Sequence, residues 1–383
     1  MSDTKFFWGT STASYQVEGG IENCDWAQAV QEGKEPVCGK TDDHYNRFES
    51  DFDLAKRIGT NAHRFSIEWA RIEPEEGVFD EKEVEHYRQV IRALKDRGLE
   101  PFVTLWHFTL PTWFAQSGGF LRKDSAEIFA RYCEYIVTQL GSEAHFWITM
   151  NEPLVWLNNG HWKGEWPPFV RHSILRTIRT LFALVGAHRR AYRAMKKIAP
   201  TISVGIAKHN ICFESNNNPF NKLLSFCAKW GFNHFFLKKI KGNQDFIGLN
   251  HYILKRFGLP SPFPKTDMGW DVYPKAFYKV LMELKKYNLP VYVTENGIAD
   301  STDSQRAEYL KGYIGALMRA KRDGLDVRGY FYWSLLDNYE WSFGFARRFG
   351  LIAVNYETLE RAIRPSAQTY TEIINTHGEK PLS

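Results

Sequence analysis

The chain has 383 residues, of which 44% are hydrophobic and 24% charged, and it carries a formal net charge of +5. This is enough apolar material for a large core, and no Pro/Gly/Ser-rich linker or low-complexity tract divides it, so residues 1–383 are expected to form a single domain. The basic residues come in doublets such as Arg189-Arg190 and Lys238-Lys239 with no long run, and no apolar stretch approaches the roughly 20 residues that span a bilayer; neither a nucleic-acid nor a membrane partner is expected.

From the N-terminus, Met1-Ser2-Asp3-Thr4-Lys5 leads straight into a strand-like segment without a basic stretch followed by an apolar one, which predicts a cytoplasmic location. Short apolar runs then alternate with longer amphipathic segments, the pattern of repeated strand-helix units. Eight runs read as strands: Phe6–Gly9, Ala62–Ile67, Pro101–Trp106, Phe146–Met150, Ile202–Ala207, Phe246–Leu249, Val291–Thr294 and Arg328–Tyr332. Between them, Val84, Tyr87, Val90, Ile91 and Leu94 follow helical spacing up to Gly98. Asp124 with Glu127 three residues on predicts a capping box, opening a helix that buries Ile128, Tyr132, Ile136 and Leu140. Leu310, Ile314 and Leu317 make a further stripe that ends near Gly324. Eight strands with intervening helices predict a (β/α)8 barrel. A doubly wound nucleotide-binding sheet would need a Gly-rich phosphate turn, and neither G-x-G-x-x-G nor G-x-x-x-x-G-K-[ST] occurs. The H-E-x-x-H and G-x-S-x-G patterns are missing too, and the five cysteines at 24, 38, 133, 212 and 227 include no C-x-x-C pair, so no zinc site and no disulfide framework are expected.

Two peptides carry the chemistry. Thr149-Met150-Asn151-Glu152-Pro153 and Thr294-Glu295-Asn296-Gly297 each follow a β-prone run and each end in strand-stopping residues, which sets one carboxylate at the mouth of each of two strands. Glycoside hydrolysis needs such a pair, one acid to protonate the leaving oxygen and one carboxylate to meet the oxocarbenium-like carbon. Other strand ends add residues suited to a sugar: Gln16 and Glu18 after the first, Arg64 on the second, His107 after the third, Asn250 and Tyr252 on the sixth, and Trp333 on the eighth. Bidentate hydrogen bonds to vicinal hydroxyls and an aromatic plane against the ring call for this mixture, and barrel sites are assembled at that face.

In these motifs the sequence resembles glycoside hydrolase family 1, the β-glucosidase and β-galactosidase family of (β/α)8 barrels. The likeness rests on Phe7-Trp8-Gly9-Thr10 with Tyr15-Gln16-Val17-Glu18-Gly19, Arg64-Phe65-Ser66-Ile67-Glu68-Trp69, Thr104-Leu105-Trp106-His107-Phe108, Asn151-Glu152-Pro153, Gly248-Leu249-Asn250 with Tyr252, Thr294-Glu295-Asn296-Gly297, and Tyr332-Trp333 through Glu340-Trp341. The resemblance implies a retaining mechanism with Glu152 as acid/base and Glu295 as nucleophile, and no cofactor. It implies that Gln16, His107, Asn151, Glu340 and Trp341 hydrogen-bond the sugar while Trp333 stacks on it, and that Arg64 and Tyr252, with Asn250, support Glu295. The Glu340-Trp341 pair stands where relatives that cleave 6-phosphoglycosides carry smaller or cationic residues, and Glu152 is the acid that thioglucosidases of the family lack; both favour unphosphorylated O-glycosides, either small molecules or short oligosaccharides. The chain departs from the family by being short, above all between Glu214 and Gln244, so an open entrance is expected, lined in part by Trp162, Trp166 and Phe349. A transglycosidase with the same pair, and a glycan-binding relative without turnover, are the alternatives; the preferred sugar and the oligomeric state are left open.

Overall fold

The computed structural model describes residues 5–378. Eight parallel strands close into a barrel in chain order: β1 (Phe7–Ser11), β2 (Ala62–Ser66), β3 (Glu100–Thr104), β4 (Phe146–Asn151), β5 (Ser203–His209), β6 (Phe246–Asn250), β7 (Val291–Asn296) and β8 (Val327–Trp333), with β8 pairing back onto β1. Each strand is followed by a principal helix: α1 (His44–Arg57), α2 (Glu81–Asp96), α3 (Ser125–Leu140), α4 (Ile174–Ile198), α5 (Pro219–Ala228), α6 (Pro274–Leu284), α7 (Arg306–Arg322) and α8 (Pro365–Asn375). The predicted (β/α)8 architecture is the observed one.

The helices form as their stripes require. Val84, Tyr87, Val90, Ile91 and Leu94 of α2 are buried, as are Ile128, Tyr132, Ile136 and Leu140 of α3 and Leu310, Ile314 and Leu317 of α7. The capping box expected at α3 does not form. Asp124 makes no side-chain cap, because Arg122 takes both carboxylate oxygens at 2.9 and 2.8 Å, and Glu127 pairs instead with Arg190. A charge-assisted bidentate pair outcompetes a single bond to a backbone N–H.

The lower end of the barrel is closed by aromatic rings. Phe102 stacks on Phe146 with centroids 4.2 Å apart, and Phe246, Tyr292 and Phe331 pack around them edge-on. Rings of this size fit only where facing strands omit a side chain, as at Gly205 on β5, where a Cβ would come within 2.6 Å of the Phe246 ring. Register sets the upper end: Ser11 lies level with Arg64 on one side and Trp333 on the other, and Asn250 lies level with Glu295. Functional side chains from separate strands therefore share one layer.

Gly205→Val is expected to cost about 3 kcal/mol through overpacking against Phe246. Scanning calorimetry should show a lowered thermal midpoint; an unchanged midpoint would mean that the aromatic plug yields freely.

Candidate active site

Glu295 sits on β7 and is almost fully buried. Its Oε1 accepts from Arg64 Nη1 at 2.5 Å and its Oε2 from the Tyr252 hydroxyl at 2.9 Å. Arg64 has no exposed surface and spends its other donors on Thr104 Oγ1, the Thr294 carbonyl and Asn151 Oδ1, at 3.0, 3.3 and 2.7 Å. Because Asn151 Oδ1 is an acceptor, its amide N–H donates to His107 Nε2 at 3.1 Å. That fixes the neutral tautomer of His107, whose pKa burial and nearby Arg64 hold well below the ordinary value. Its Nδ1 has no protein partner.

Glu152 follows β4 at a left-handed φ of 43°. Pro153, the first residue of a short helix, keeps the residue before it out of the right-handed helical region, and the Glu152 N–H bonds the Ala207 carbonyl at 2.8 Å. The carboxylate is thereby turned into the barrel mouth. Asn250 donates to Glu152 Oε1 at 2.8 Å and to Asn151 Oδ1 at 3.1 Å, while its own Oδ1 accepts from Thr294 at 2.7 Å. Asn250, expected beside Glu295, thus serves Glu152: it faces Glu295 in register, but its amide reaches the neighbouring strand. His209 Nδ1 lies 3.3 Å from Glu152 Oε1, and neither ring nitrogen of His209 has a well-formed hydrogen bond.

On the opposite wall, Gln16 Nε2 donates to Asn338 Oδ1, the Tyr339 carbonyl and Glu340 Oε2 at 3.0, 2.9 and 3.3 Å, and Gln16 Oε1 has no partner. Trp333 and Trp341 flank His107 in near-parallel planes, at centroid distances of 6.0 and 6.1 Å. Gln16, His107, Trp333, Glu340, Trp341 and Phe349 line a cavity of about 1310 Å³ that also contains Glu152, Glu295, Asn151 and Tyr252. Arg64 and Asn250 do not line it and act on it through their bonds to Glu295, Asn151 and Glu152. Glu18 does not reach it, because its carboxylate is taken by Arg71 and the Tyr87 hydroxyl, each at 2.9 Å. Trp166 lines the entrance, but Trp162 stands outside it, edge-on to His172.

The lining also holds residues that strand-end reasoning missed: His209, Phe232, Met268 and Trp270. His209 was legible as part of the polar triple Lys208-His209-Asn210, which falls on and just past β5, two residues beyond the expected end of that strand. Trp270 had no local signal; it reaches the site through a loop that folds back against Tyr252, ring centroids 5.3 Å apart.

The electrostatics follow from two buried carboxyls, Glu152 and Glu295, and the partly buried Glu340 sharing few cations. Burial pushes Glu295 up to about 7, with Arg64 pulling it down and the charge of Glu152 pushing it further up. Burial also raises Glu340, to about 8, with Glu295 adding to the shift and Gln16 opposing it. Glu152 goes the other way: burial works against its charge, but His209, then Asn250 and Lys208, bring it below the ordinary carboxylate value. The pull of His209 exists only while its imidazole is protonated. Among the described residues, no group of three or more His, Cys, Asp or Glu is placed to hold a metal.

A pair of buried carboxylates facing a wide, aromatic-walled cleft at the mouth of a (β/α)8 barrel defines the catalytic architecture of a sugar hydrolase. The sequence pattern described as Glycosyl hydrolase family 1 matches residues 2–236 and 259–379, with the break at the segment carrying Asn250 and Tyr252. Beta-glucosidase A of Thermotoga maritima is 32% identical over 97% of both chains, and a beta-galactosidase of Pyrococcus woesei is 30% identical over 99% of this chain and 98% of its own. The structure of a beta-glycosidase from Pyrococcus horikoshii superposes with a TM-score of 0.91 at 37% identity, covering 96% of this chain and 93% of the other. The chain belongs to glycosyl hydrolase family 1 and is a glycoside hydrolase.

Because Glu340 holds its proton to about pH 8 when folded but only to its ordinary 4.5 when unfolded, the native state binds the extra proton between those values. Stability is therefore lost as pH rises through that window. Glu340→Gln is expected to raise the thermal midpoint at pH 8 and to leave it nearly unchanged at pH 4; equal effects at both would show that Glu340 is not buried at such cost.

Proposed function

We propose that this glycoside hydrolase is a retaining β-glycosidase, acting on terminal gluco- or galacto-configured sugars of small-molecule β-glycosides or short oligosaccharides. Glu295 is the nucleophile and Glu152 the acid/base. The observation that carries the assignment is the difference between their cations. Glu295 is bonded to Arg64, which is always charged, and to a phenol; the cationic neighbours of Glu152 are His209, which can lose its charge, and Lys208, which burial brings down to about 7. When His209 is neutral, the proton shared by the pair belongs on Glu152, and Glu295 is the carboxylate.

In the first step a Glu295 oxygen bonds to the anomeric carbon, the glycosidic C–O bond breaks, and the Glu152 proton passes to the leaving oxygen. Esterified Glu295 carries no charge, so the repulsion between the two acids disappears and Glu152 is left as a carboxylate base. Water then attacks the anomeric carbon, gives its proton to Glu152 and releases Glu295 with net retention. Gln16, His107, Asn151, Glu340 and Trp341 would bond the sugar hydroxyls and Trp333 would offer its ring face; their shared lining of the cleft and the unpartnered Gln16 Oε1 and His107 Nδ1 support this. A phosphoryl group on the sugar would bring further negative charge to carboxyls that already raise one another's pKa, which favours unphosphorylated glycones. The names of the relatives, a beta-glucosidase and a beta-galactosidase, support both sugar configurations.

Glu295→Gly should lose turnover of para-nitrophenyl β-glucoside by about 10⁴-fold or more, with azide restoring part of it and yielding the α-glycosyl azide. A β-configured azide would reverse the two roles. His209→Asn removes a cation that favours the Glu152 carboxylate while the imidazole is protonated, so the variant should differ from wild type on the acid side of the kcat/KM pH profile. A profile that superposes on that of wild type would detach His209 from the acid.

A further inference from the structure

Helix α5 is built inside out. Its one buried residue is Ser225, while Phe220, Leu223, Leu224, Phe226 and Cys227 are exposed, and Trp230 continues the exposed face just beyond its end. At 100° per residue these six positions cover about 160° of the helix, opposite Ser225. The first half of α4 does the same: Ile174, Leu175, Ile178 and Phe182 are exposed and fall within about 100° of one another. The two helices meet through Phe235, whose ring lies 6.0 Å from Phe182 and 5.4 Å from Trp230. Of the 14 exposed large hydrophobic residues among those described, nine belong to these two segments.

The charge around them is one-sided. Residues 166–244 contain 14 Lys and Arg and a single acid, Glu214, whereas the rest of the chain has 35 basic and 43 acidic residues. Glu214 does not offset the excess, because it is paired with Arg256 and Lys279 at 3.1 and 2.6 Å, from outside the segment. Arg171, Arg176, Arg179, Lys222, Lys238 and Lys239 are exposed and make no ion pair among the described residues. Lys239 lies over the Phe182 and Phe235 rings at 5.8 and 5.5 Å, at the seam of the apolar face.

We propose that this face binds the surface of an anionic lipid bilayer peripherally. Aliphatic and aromatic side chains ringed by unpaired Lys and Arg match the two components of such a surface, acyl chains at shallow depth and acidic headgroups above them. A second copy of the chain would bring two strongly basic faces together. Nucleic acid would leave Ile174, Leu175, Ile178, Leu223 and Leu224 without a role. No helix among the described residues is long and apolar enough to cross a membrane, so the contact lies on the surface. It also lies beside the cleft, since Arg171 just before α4 and Phe232 just after Trp230 both line the cavity. The sequence expectation of no membrane partner rested on the missing spanning segment and on the missing basic run, and neither measures a face assembled from two helices.

The test is co-sedimentation of the full chain with phosphatidylcholine vesicles, with and without about 30% phosphatidylglycerol, at about 0.05 and 0.5 M salt. The comparison is with the triple variant Ile178→Ser, Leu223→Ser, Phe226→Ser, whose rate on soluble para-nitrophenyl β-glucoside reports that it is folded. The wild type is expected to sediment with anionic vesicles at low salt and to release at high salt, and the variant to bind them about tenfold or more weakly at an unchanged soluble rate. Three results would each overturn the proposal: wild type that stays in the supernatant with both vesicles; a variant that binds vesicles and duplex DNA as tightly as wild type, which is polyanion binding alone; or a wild-type dimer in sedimentation velocity that the variant breaks, which gives the face to a second copy.

Discussion

A guanidinium with no exposed surface persists inside a protein only if its charge is balanced and its nitrogens are hydrogen-bonded, and at Arg64 that requirement organises the barrel mouth. Its partners come from β3, β4 and β7: Thr104, Asn151, and Glu295 with the preceding carbonyl. Losing any one would leave a buried donor unpaired, so the strands are tied at the level where the register already aligns Ser11, Arg64 and Trp333. Orientation then passes outward by hydrogen bonds. Arg64 fixes Asn151, Asn151 fixes the tautomer of His107, and Asn250 links Asn151 to Glu152. Two carboxylates on different strands are in this way held by one continuous network.

The architecture was legible because parallel barrel strands are buried on both faces and read as apolar runs. Their ends were harder to place. β3 stops at Thr104 rather than Trp106, since the chain leaves the barrel there to present His107, with the Trp106 indole anchored on the Thr109 carbonyl. β5 runs two residues past Ala207, because polar side chains at a barrel's upper rim line the site while their backbone stays in the sheet. The partner of Asn250 was not readable, since choosing between Glu152 and Glu295 depends on side-chain direction across a register shift between β6 and β7. The exposed face of α5 was hidden for a general reason: periodicity shows that apolar residues share a side of a helix and not which side the fold covers.

The carboxyls of the cleft show what the catalytic arrangement costs the folded protein. Glu295 and Glu152 are buried and Glu340 is partly so, and Glu295 and Glu340 carry raised pKa values to which the neighbouring acids contribute. On the proposed mechanism, that repulsion is relieved where it matters. A neutral sugar brings hydroxyl donors to these oxygens, and the oxocarbenium-like transition state brings positive charge to the point the carboxyls surround. Negative charge fixed in advance around a developing cation stabilises the transition state more than the bound substrate, which is the condition for accelerating the chemical step. On that proposal Arg64 limits the effect on one side, pulling the Glu295 pKa down against burial and so favouring the ionised form that would attack. On the same mechanism a permanent cation beside Glu152 would hold that acid deprotonated; what stands there instead is a histidine and the buried Lys208, which burial brings down to about 7.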